Sequence, residues 1–97
     1  MAAVNLIATI RSAPGSATEL AGLLADYARH VLTMEGAERF EVDEDAQRTD
    51  VFMVIERYSD ADAFRLHLED PANSALNSKL EELSDGGSSL TFIAQVG

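Results

Sequence analysis

"VFMVIERYSDADAFRLHLEDP", residues 51–71, decides the fold, because within one short segment an apolar strand passes into a helix. The strand is apolar on both faces until Glu56 and Arg57. This pattern predicts an inner strand that is covered on both sides. Either Ser59 or Asp60 can cap the helix that follows, since both residue types are favoured at helix N-termini.

The helix after this strand carries Phe64, His67 and Leu68 on one face, which predicts that all three side chains point toward the core. At Asp70-Pro71 the aspartate can cap a new helix, and the proline suits the first helical position. The second helical region is therefore broken in two. Three leucines form the inner stripe of its second part: Leu76, Leu80 and Leu83.

The segments before this stretch predict another strand and a long helix. "VNLIATIR", residues 4–11, is apolar on both faces and predicts a second inner strand. Ser16 and Glu19 form a capping box for an amphipathic helix that continues up to Gly36.

Two further strands complete the pattern. "AERFEVDED", residues 37–45, predicts a half-exposed strand with Phe40 and Val42 on one face and charges on the other. "LTFIAQV", residues 90–96, predicts the last strand, which follows a loop over "SDGGSS", residues 84–89. The order is β-α-β-β-α-β.

This order predicts an α+β, ferredoxin-like fold with a four-stranded antiparallel sheet, in which the first and third strands are central. We expect residues 1–97 to form a single domain. Helices can cover only one face of the sheet, so the apolar second face needs another cover. A second copy of the chain is the simplest one, and we therefore predict a homodimer packed sheet against sheet.

The composition excludes several classes of partner and site. Seventeen acidic and seven basic residues give a net charge of −10, which repels nucleic acid and anionic membranes. There is no cysteine, and the two histidines have no metal-ligand spacing, so we expect no metal site. No segment reads as a signal peptide or a membrane span, and we expect a cytoplasmic protein.

Four motifs occur in a fixed order along the chain. They are "R-x-x-P-G" at residues 11–15, "E-G" at 35–36, "E-R-Y" at 56–58 and "H-L-x-D-P" at 67–71. In this order and spacing the chain resembles, over nearly its whole length, the antibiotic biosynthesis monooxygenase family of dimeric α+β barrels. That family includes cofactor-independent monooxygenases of quinols and polyketide aromatics, haem-degrading oxygenases and a signal-molecule isomerase.

The chain departs from the family pattern at several positions. "M-E-G-A" at residues 34–37 replaces the usual "E-P-G-C", Tyr58 stands where a tryptophan is frequent, and Asn73 stands where a second histidine is frequent. The haem-degrading members have a tryptophan at the position of His67 and their axial histidine near Asn77. The resemblance therefore implies a reaction without haem, and we expect no cofactor.

Glu56 has two interpretations. Phe52, Val54 and Tyr58 lie on the same face of its strand, so burial would raise the pKa of the carboxyl toward the range of a general base. Alternatively, Glu56 pairs with an arginine such as Arg39 at a dimer seam and has only a structural role.

His67 also has two interpretations. As a neutral base, it would take the proton from a phenol or quinol hydroxyl and leave an electron-rich anion that reacts with O2. Alternatively, its ring donates to a backbone carbonyl or to Glu56 and ties the helix to the sheet. The resemblance supports the first interpretation, because His67 stands at the family's "H-L" position.

The leading hypothesis is a cofactor-independent monooxygenase of a phenolic or quinol-type aromatic molecule, with His67 as base and Glu56 or Tyr58 as its orienting partner. The predicted substrate-binding residues are Asn5, Phe52, Phe64, Asn73 and Phe92. Two alternatives stay open: a non-catalytic dimeric module that binds a small molecule, and an isomerase that uses the same base without O2. A cavity of several hundred Å³ beside His67 favours an enzyme, and a closed core favours the module.

Overall fold

A computed structural model describes residues 2–96. In chain order, these residues form β1 (Val4–Ser12), α1 (Ala17–Val31), β2 (Ala37–Glu44), β3 (Val51–Tyr58), α2 (Ala61–Glu69), α3 (Pro71–Leu83) and β4 (Ser84–Ile93). The strands pair antiparallel in the order β2-β3-β1-β4. The predicted ferredoxin-like α+β fold is confirmed, with β1 and β3 at the centre of the sheet.

One face of the sheet packs against all three helices and holds the core. Because side chains alternate along a strand, every second residue of β1 and β3 points to this face. The buried residues that the strands supply to it are Leu6, Ala8, Ile10, Phe40, Phe52, Val54, Glu56 and Tyr58. The helices supply Leu20, Leu24, Tyr27, Val31, Ala63, Leu76, Leu80 and Leu83. The predicted leucine stripe of α3 is therefore confirmed.

The opposite face of the sheet, which we call the outer face, carries no helix. Ile7 lies opposite Ile55 across the central strand pair, and Thr9 lies opposite Met53. All four side chains are only partly buried. The outer face thus presents apolar side chains for which the described chain provides no full cover.

Two of the three predicted helix caps are confirmed. Asp60 accepts a hydrogen bond from the N–H of Ala63 at the start of α2, and Asp70 accepts one from Ala72 at the start of α3. The capping box of Ser16 is wrong, because its side chain makes no capping hydrogen bond. The first helix also ends at Val31, before a turn that leads to Gly36.

The structure corrects two further expectations. Residues 84–89 do not form a loop, since β4 already begins at Ser84 and runs to Ile93. Leu68 does not enter the core but is 46% exposed, because its side chain is turned away from the side of α2 that faces the sheet. Phe64 and His67 do face the core side, with His67 buried and Phe64 partly buried.

Gly36 allows a close approach between the α1–β2 corner and α2, and we expect its replacement by alanine to destabilise the fold. Its φ is +84°, and an added Cβ would lie 2.5 Å from the Cβ of Ala63. The unfavourable φ and the clash together should lower the free energy of unfolding by about 3 kcal/mol. Urea unfolding of Gly36→Ala measures this loss.

Gly15→Ala is the matched control for this substitution. Gly15 also has a positive φ, +80°, but an added Cβ there would meet nothing within 4 Å. This variant should therefore lose only about 1 kcal/mol, the backbone contribution alone. Equal losses for Gly15→Ala and Gly36→Ala would contradict the packing argument.

Candidate active site

A cavity of about 120 Å³ lies between the helix-facing side of the sheet and the three helices. Its apolar walls come from both layers of the fold. Its polar lining side chains are Tyr27, Glu56, His67, Asn73, Asn77 and Ser88. Leu68 and Leu90 border it as well and are nearly half exposed, so the cavity reaches the surface between α2, α3 and β4.

Glu56 reaches this cavity from the middle of the sheet. It stands on central strand β3 in phase with Val54 and Tyr58, and its residue is only 6% exposed. The Tyr58 hydroxyl donates a hydrogen bond to Glu56 Oε1 at 2.5 Å. Burial raises the pKa of Glu56 from its ordinary value of 4.5 to about 7, although the Tyr58 hydrogen bond opposes the rise. The carboxyl can therefore change its charge near neutral pH.

His67 approaches Glu56 from α2. Its Nε2 lies 3.8 Å from Glu56 Oε1, which is within ion-pair distance but too long for a hydrogen bond. Its ring stacks on that of Tyr58, with centroids 5.1 Å apart. Burial lowers the pKa of His67, and the nearby charge of Asp70 offsets only part of this effect. The imidazole is therefore neutral at neutral pH.

The two ring nitrogens of His67 have different environments. A neutral imidazole carries its proton on one nitrogen and has a lone pair on the other. Nε2 is the nitrogen next to the Glu56 carboxyl, 3.8 Å from Oε1. Nδ1 is buried and has no hydrogen-bond partner within residues 2–96. Nδ1 thus keeps hydrogen-bonding capacity that no group of the described chain uses.

Tyr27, on α1, also lines the cavity, although no motif of the sequence singled it out. Its hydroxyl donates to Asn73 Oδ1 at 3.2 Å, and Asn73 Nδ2 donates to the backbone oxygen of Leu68 at 3.3 Å. Burial raises the pKa of Tyr27, so its hydroxyl remains a donor. A tyrosine hydroxyl in an apolar helix face needs a polar partner, and that requirement was the signal for its role.

The structure brings together five of the predicted site residues. Four of them line the cavity: Glu56, Phe64, His67 and Asn73. Tyr58 does not line it, but its hydroxyl donates to Glu56 and its ring stacks on that of His67. Asn73 was predicted to bind substrate, but its amide is occupied by the hydrogen bonds that join α1, α2 and α3.

Three predicted residues lie elsewhere. Asn5 is on the outer face, where it accepts a hydrogen bond from Arg57 Nη1. Phe52 faces the helices but does not line the cavity, although its cross-strand neighbour Ile10 does. Phe92 is 58% exposed on β4 and only contacts the edge of the Phe64 ring.

Two contacts considered in the structural interpretations of Glu56 and His67 are not made within the described chain, while pairing of Glu56 at a dimer seam stays a prediction. Arg39 makes an ion pair with Glu41 and none with Glu56, because the side chains of Arg39 and Glu56 project from opposite faces of the sheet. Neither ring nitrogen of His67 makes a hydrogen bond to a backbone carbonyl in the described chain.

Over residues 2–96, no three acidic, histidine or cysteine side chains are grouped so that they could hold a metal ion. In the same range, no helix has the length and apolar character needed to cross a membrane.

The model of the antibiotic biosynthesis monooxygenase family matches residues 3–77, which is more than half of the chain. A search of the curated proteins finds no match. Among solved structures, Rv0793 from Mycobacterium tuberculosis is 21% identical, with a TM-score of 0.90 over 99% of this chain and 97% of that one. PA3566 from Pseudomonas aeruginosa is 22% identical, with a TM-score of 0.90 over 100% and 97% of the two chains.

A third similar structure is SnoaB, a cofactor-independent oxygenase from Streptomyces nogalater. It is 20% identical, with a TM-score of 0.86 over 100% of this chain and 96% of that one. At these identities the structural matches establish the shared fold.

Proposed function

The chain belongs to the antibiotic biosynthesis monooxygenase family, and on this basis we propose that it is a cofactor-independent monooxygenase of a phenolic or quinol-type aromatic molecule. One observation carries the proposal: the buried pair of His67 and Glu56 borders a cavity, and His67 Nδ1 lacks a partner. A buried polar atom without a partner is rare in proteins and is expected where a ligand supplies the missing group.

The size of the cavity limits the part of the substrate that it can hold. Its volume of about 120 Å³ is below the several hundred Å³ that would favour an enzyme on volume alone. A protein cavity of about 150 Å³ can bind benzene, so the space suits a single aromatic ring. The walls around it are mainly apolar, as such a ring requires.

The proposed reaction needs no external reductant. His67 takes the hydroxyl proton, and the resulting anion supplies both electrons for a new bond between a ring carbon and O2. The O–O bond of this peroxide then breaks while the ring carbon becomes a carbonyl. The departing oxygen leaves as water with the proton from His67 and the hydrogen lost from that carbon. Phenol and O2 thus give quinone and water, and a quinol gives a hydroxyquinone and water.

Isotope labelling tests this reaction. The protein is incubated with phenol and 1,4-dihydroxybenzene under ¹⁸O2, and the products are analysed by mass spectrometry. The proposal requires one labelled oxygen per product molecule, one labelled water and no hydrogen peroxide. An unlabelled quinone with one hydrogen peroxide per turnover would be simple autoxidation and would contradict the proposal.

The modest cavity volume favours a second candidate function, a non-catalytic module that binds a small molecule. Such a module would bind phenols in calorimetry and leave O2 consumption at the rate of the buffer. An isomerase would use His67 in the same way but would convert its substrate in the absence of O2. Anaerobic incubation therefore separates the isomerase from the oxygenase.

We also propose that the protein is a homodimer joined through the outer face. Ile7, Met53 and Ile55 form an apolar strip across the two central strands of this face, and charged residues of β2 flank it. Replacement of Ile55 by lysine should place an ammonium group in the interface and weaken the dimer at least about 100-fold. Light scattering after gel filtration at several concentrations measures the change in mass.

Leu66→Lys is the matched control for Ile55→Lys. Leu66 is 49% exposed and belongs to α2, on the helix side of the sheet. The Leu66→Lys substitution adds the same charge to the chain but away from the outer face, so the dimer should keep its mass. A wild-type protein that is monomeric at high concentration would contradict the proposed dimer.

A further inference from the structure

We propose that the substrate carries an uncharged, hydroxyl-bearing tail that lies in a cleft between α3 and the beginning of β4 while its aromatic ring occupies the cavity. This inference rests on the proposed function. It adds a second subsite, outside the cavity, and a chemical class for the part of the substrate that the cavity is too small to hold.

The cleft adjoins the cavity. It has a volume of about 480 Å³, and three residues line both spaces: Asn77, Leu80 and Ser88. Asn77 and Ser88 are exposed, and Leu80 is buried below them. A ring substituent that leaves the cavity along these residues enters the cleft directly. We call this cleft the tail subsite.

A bulge in β4 forms one side of the tail subsite. On β1 a single residue, Arg11, separates Ile10 from Ser12, whereas on β4 three residues, 85–87, separate their partners Ser88 and Ser84. The extra residues leave the strand ladder, and Gly86 and Gly87 adopt φ of +91° and +74°. An added Cβ at either glycine would meet nothing within 4 Å, so the space above the bulge is open.

Three polar side chains of the tail subsite are unoccupied by the protein itself, whereas the Ser84 hydroxyl donates to the backbone oxygen of Leu80 and accepts from the N–H of Gly87. Within residues 2–96, the Asn77 amide, the Glu81 carboxyl and the Ser88 hydroxyl make no hydrogen bond or ion pair. Asn77 and Ser88 can each donate and accept, and the Glu81 carboxylate accepts. This set matches hydroxyl groups, which also donate and accept.

The charge of the site argues against an anionic tail. Glu81 is the charged side chain that lines the described cleft, Glu56 borders the adjoining cavity, and the chain has a net charge of −10. A carboxylate or phosphate in the cleft would meet like charge and no basic partner. A neutral polyhydroxyl group such as a sugar meets hydrogen-bonding groups alone.

Three phenols with different para ethers test the proposal under anaerobic conditions. They are 4-methoxyphenol, which has almost no tail, arbutin, which carries a glucosyl tail, and 4-hydroxyphenoxyacetate, which carries a carboxylate tail. Calorimetry on the wild-type protein should show that arbutin binds about tenfold more tightly than 4-methoxyphenol, as one or two net hydrogen bonds provide. The carboxylate probe should bind more weakly than 4-methoxyphenol.

Variants of the cleft residues test whether the higher affinity for arbutin arises there. In the double variant Asn77→Ala/Ser88→Ala, the ratio of the arbutin and 4-methoxyphenol affinities should fall close to one. Glu81→Gln should improve binding of the carboxylate probe about threefold relative to 4-methoxyphenol, because it removes the like charge. Glu82→Gln is the control, since Glu82 is exposed on the same helix but does not line the cleft.

Failure of this inference can be told apart from failure of the proposed function. If 4-methoxyphenol binds but arbutin binds no better, the ring site stands and the tail subsite is wrong. If none of the three phenols binds, the proposed aromatic site and the subsite that rests on it are both wrong. A tighter complex with the carboxylate probe than with arbutin would overturn the assignment of an uncharged tail.

Discussion

Replacement of His67 by alanine should lower kcat for O2 consumption by about 100-fold to 10,000-fold, the usual contribution of a positioned general base. The physical reason is that His67 is the proposed proton acceptor, and among residues 2–96 no other basic nitrogen lines the cavity. An oxygen electrode with a quinol at saturating concentration measures the effect. Binding of the same quinol without O2 should change much less than kcat, because the base acts on the proton transfer.

Removal of a buried ring also creates a cavity, so the loss of rate has to be separated from a loss of structure. His67→Gln keeps much of the volume and a polar end but has no basic nitrogen, and it should lose a similar part of kcat. Added imidazole should restore part of the rate of His67→Ala by entering the space left by the ring. Thermal unfolding of both variants shows how much folded protein is present.

His30→Ala is the control for the loss of a histidine. His30 lies on α1, its side chain is 47% exposed, and its Nε2 is 2.5 Å from Asp70 Oδ2. It does not line the cavity, so the rate should stay within about twofold of wild type. Unchanged O2 consumption in folded His67→Ala and His67→Gln would show that His67 is not the base.

The sequence predicted the fold well because the strongest signals were local. The two strands that are apolar on both faces, around Leu6 and Val54, are the central strands, and Asp60 and Asp70 cap the helices that they were expected to cap. These features depend on residues that are neighbours in the chain. Ser16 was the exception, because its backbone conformation does not direct its hydroxyl to the first turn.

The candidate site was predicted only in part. Glu56 was placed correctly because Val54 and Tyr58 fix the phase of its strand. Asn5 was misplaced because a strand with apolar residues on both faces does not reveal which face the helices cover. Periodicity could show neither that Phe52 is left out of the cavity lining nor that Phe92 is uncovered on an edge strand.

Long-range geometry accounts for the features that the sequence did not predict. The contact of Tyr27 with Asn73 joins residues 46 positions apart in the chain. The bulge at residues 85–87 depends on the pairing of β4 with β1, and the tail subsite exists because of it. Residues of this kind become visible only when the elements are packed together.

Glu56→Gln should make the protein more stable than wild type above pH 7 by about 3 kcal/mol, from a pKa shift of about 2.5 units at about 1.4 kcal/mol each. The folded-state pKa, about 7, lies above the ordinary value of 4.5, so the native state binds the Glu56 proton more tightly than the unfolded state. The contribution of this proton is fully present below pH 4.5. It is lost as the pH rises through about 7, because the buried carboxyl must then carry a charge.

The measurement is the difference in unfolding free energy between Glu56→Gln and wild type from pH 4 to pH 8, at one protein concentration. The difference should grow with pH across this range, while groups common to both proteins cancel. Glutamine keeps an oxygen that can accept the hydrogen bond from the Tyr58 hydroxyl, so the packing at the site changes little. Glu82→Gln removes an exposed carboxyl and should differ from wild type by less than about 0.5 kcal/mol throughout.

The same substitution links stability to the proposed chemistry. If the ionised Glu56 carboxylate orients His67, the wild-type rate should rise through about pH 7 as Glu56 loses its proton. Glu56→Gln should then lower kcat and remove this rise. A protein that becomes more stable and less active by one substitution is expected where a buried charge serves function at the expense of folding. If Glu56→Gln is instead less stable than wild type at pH 8, Glu56 is not a desolvated carboxyl and cannot have this role.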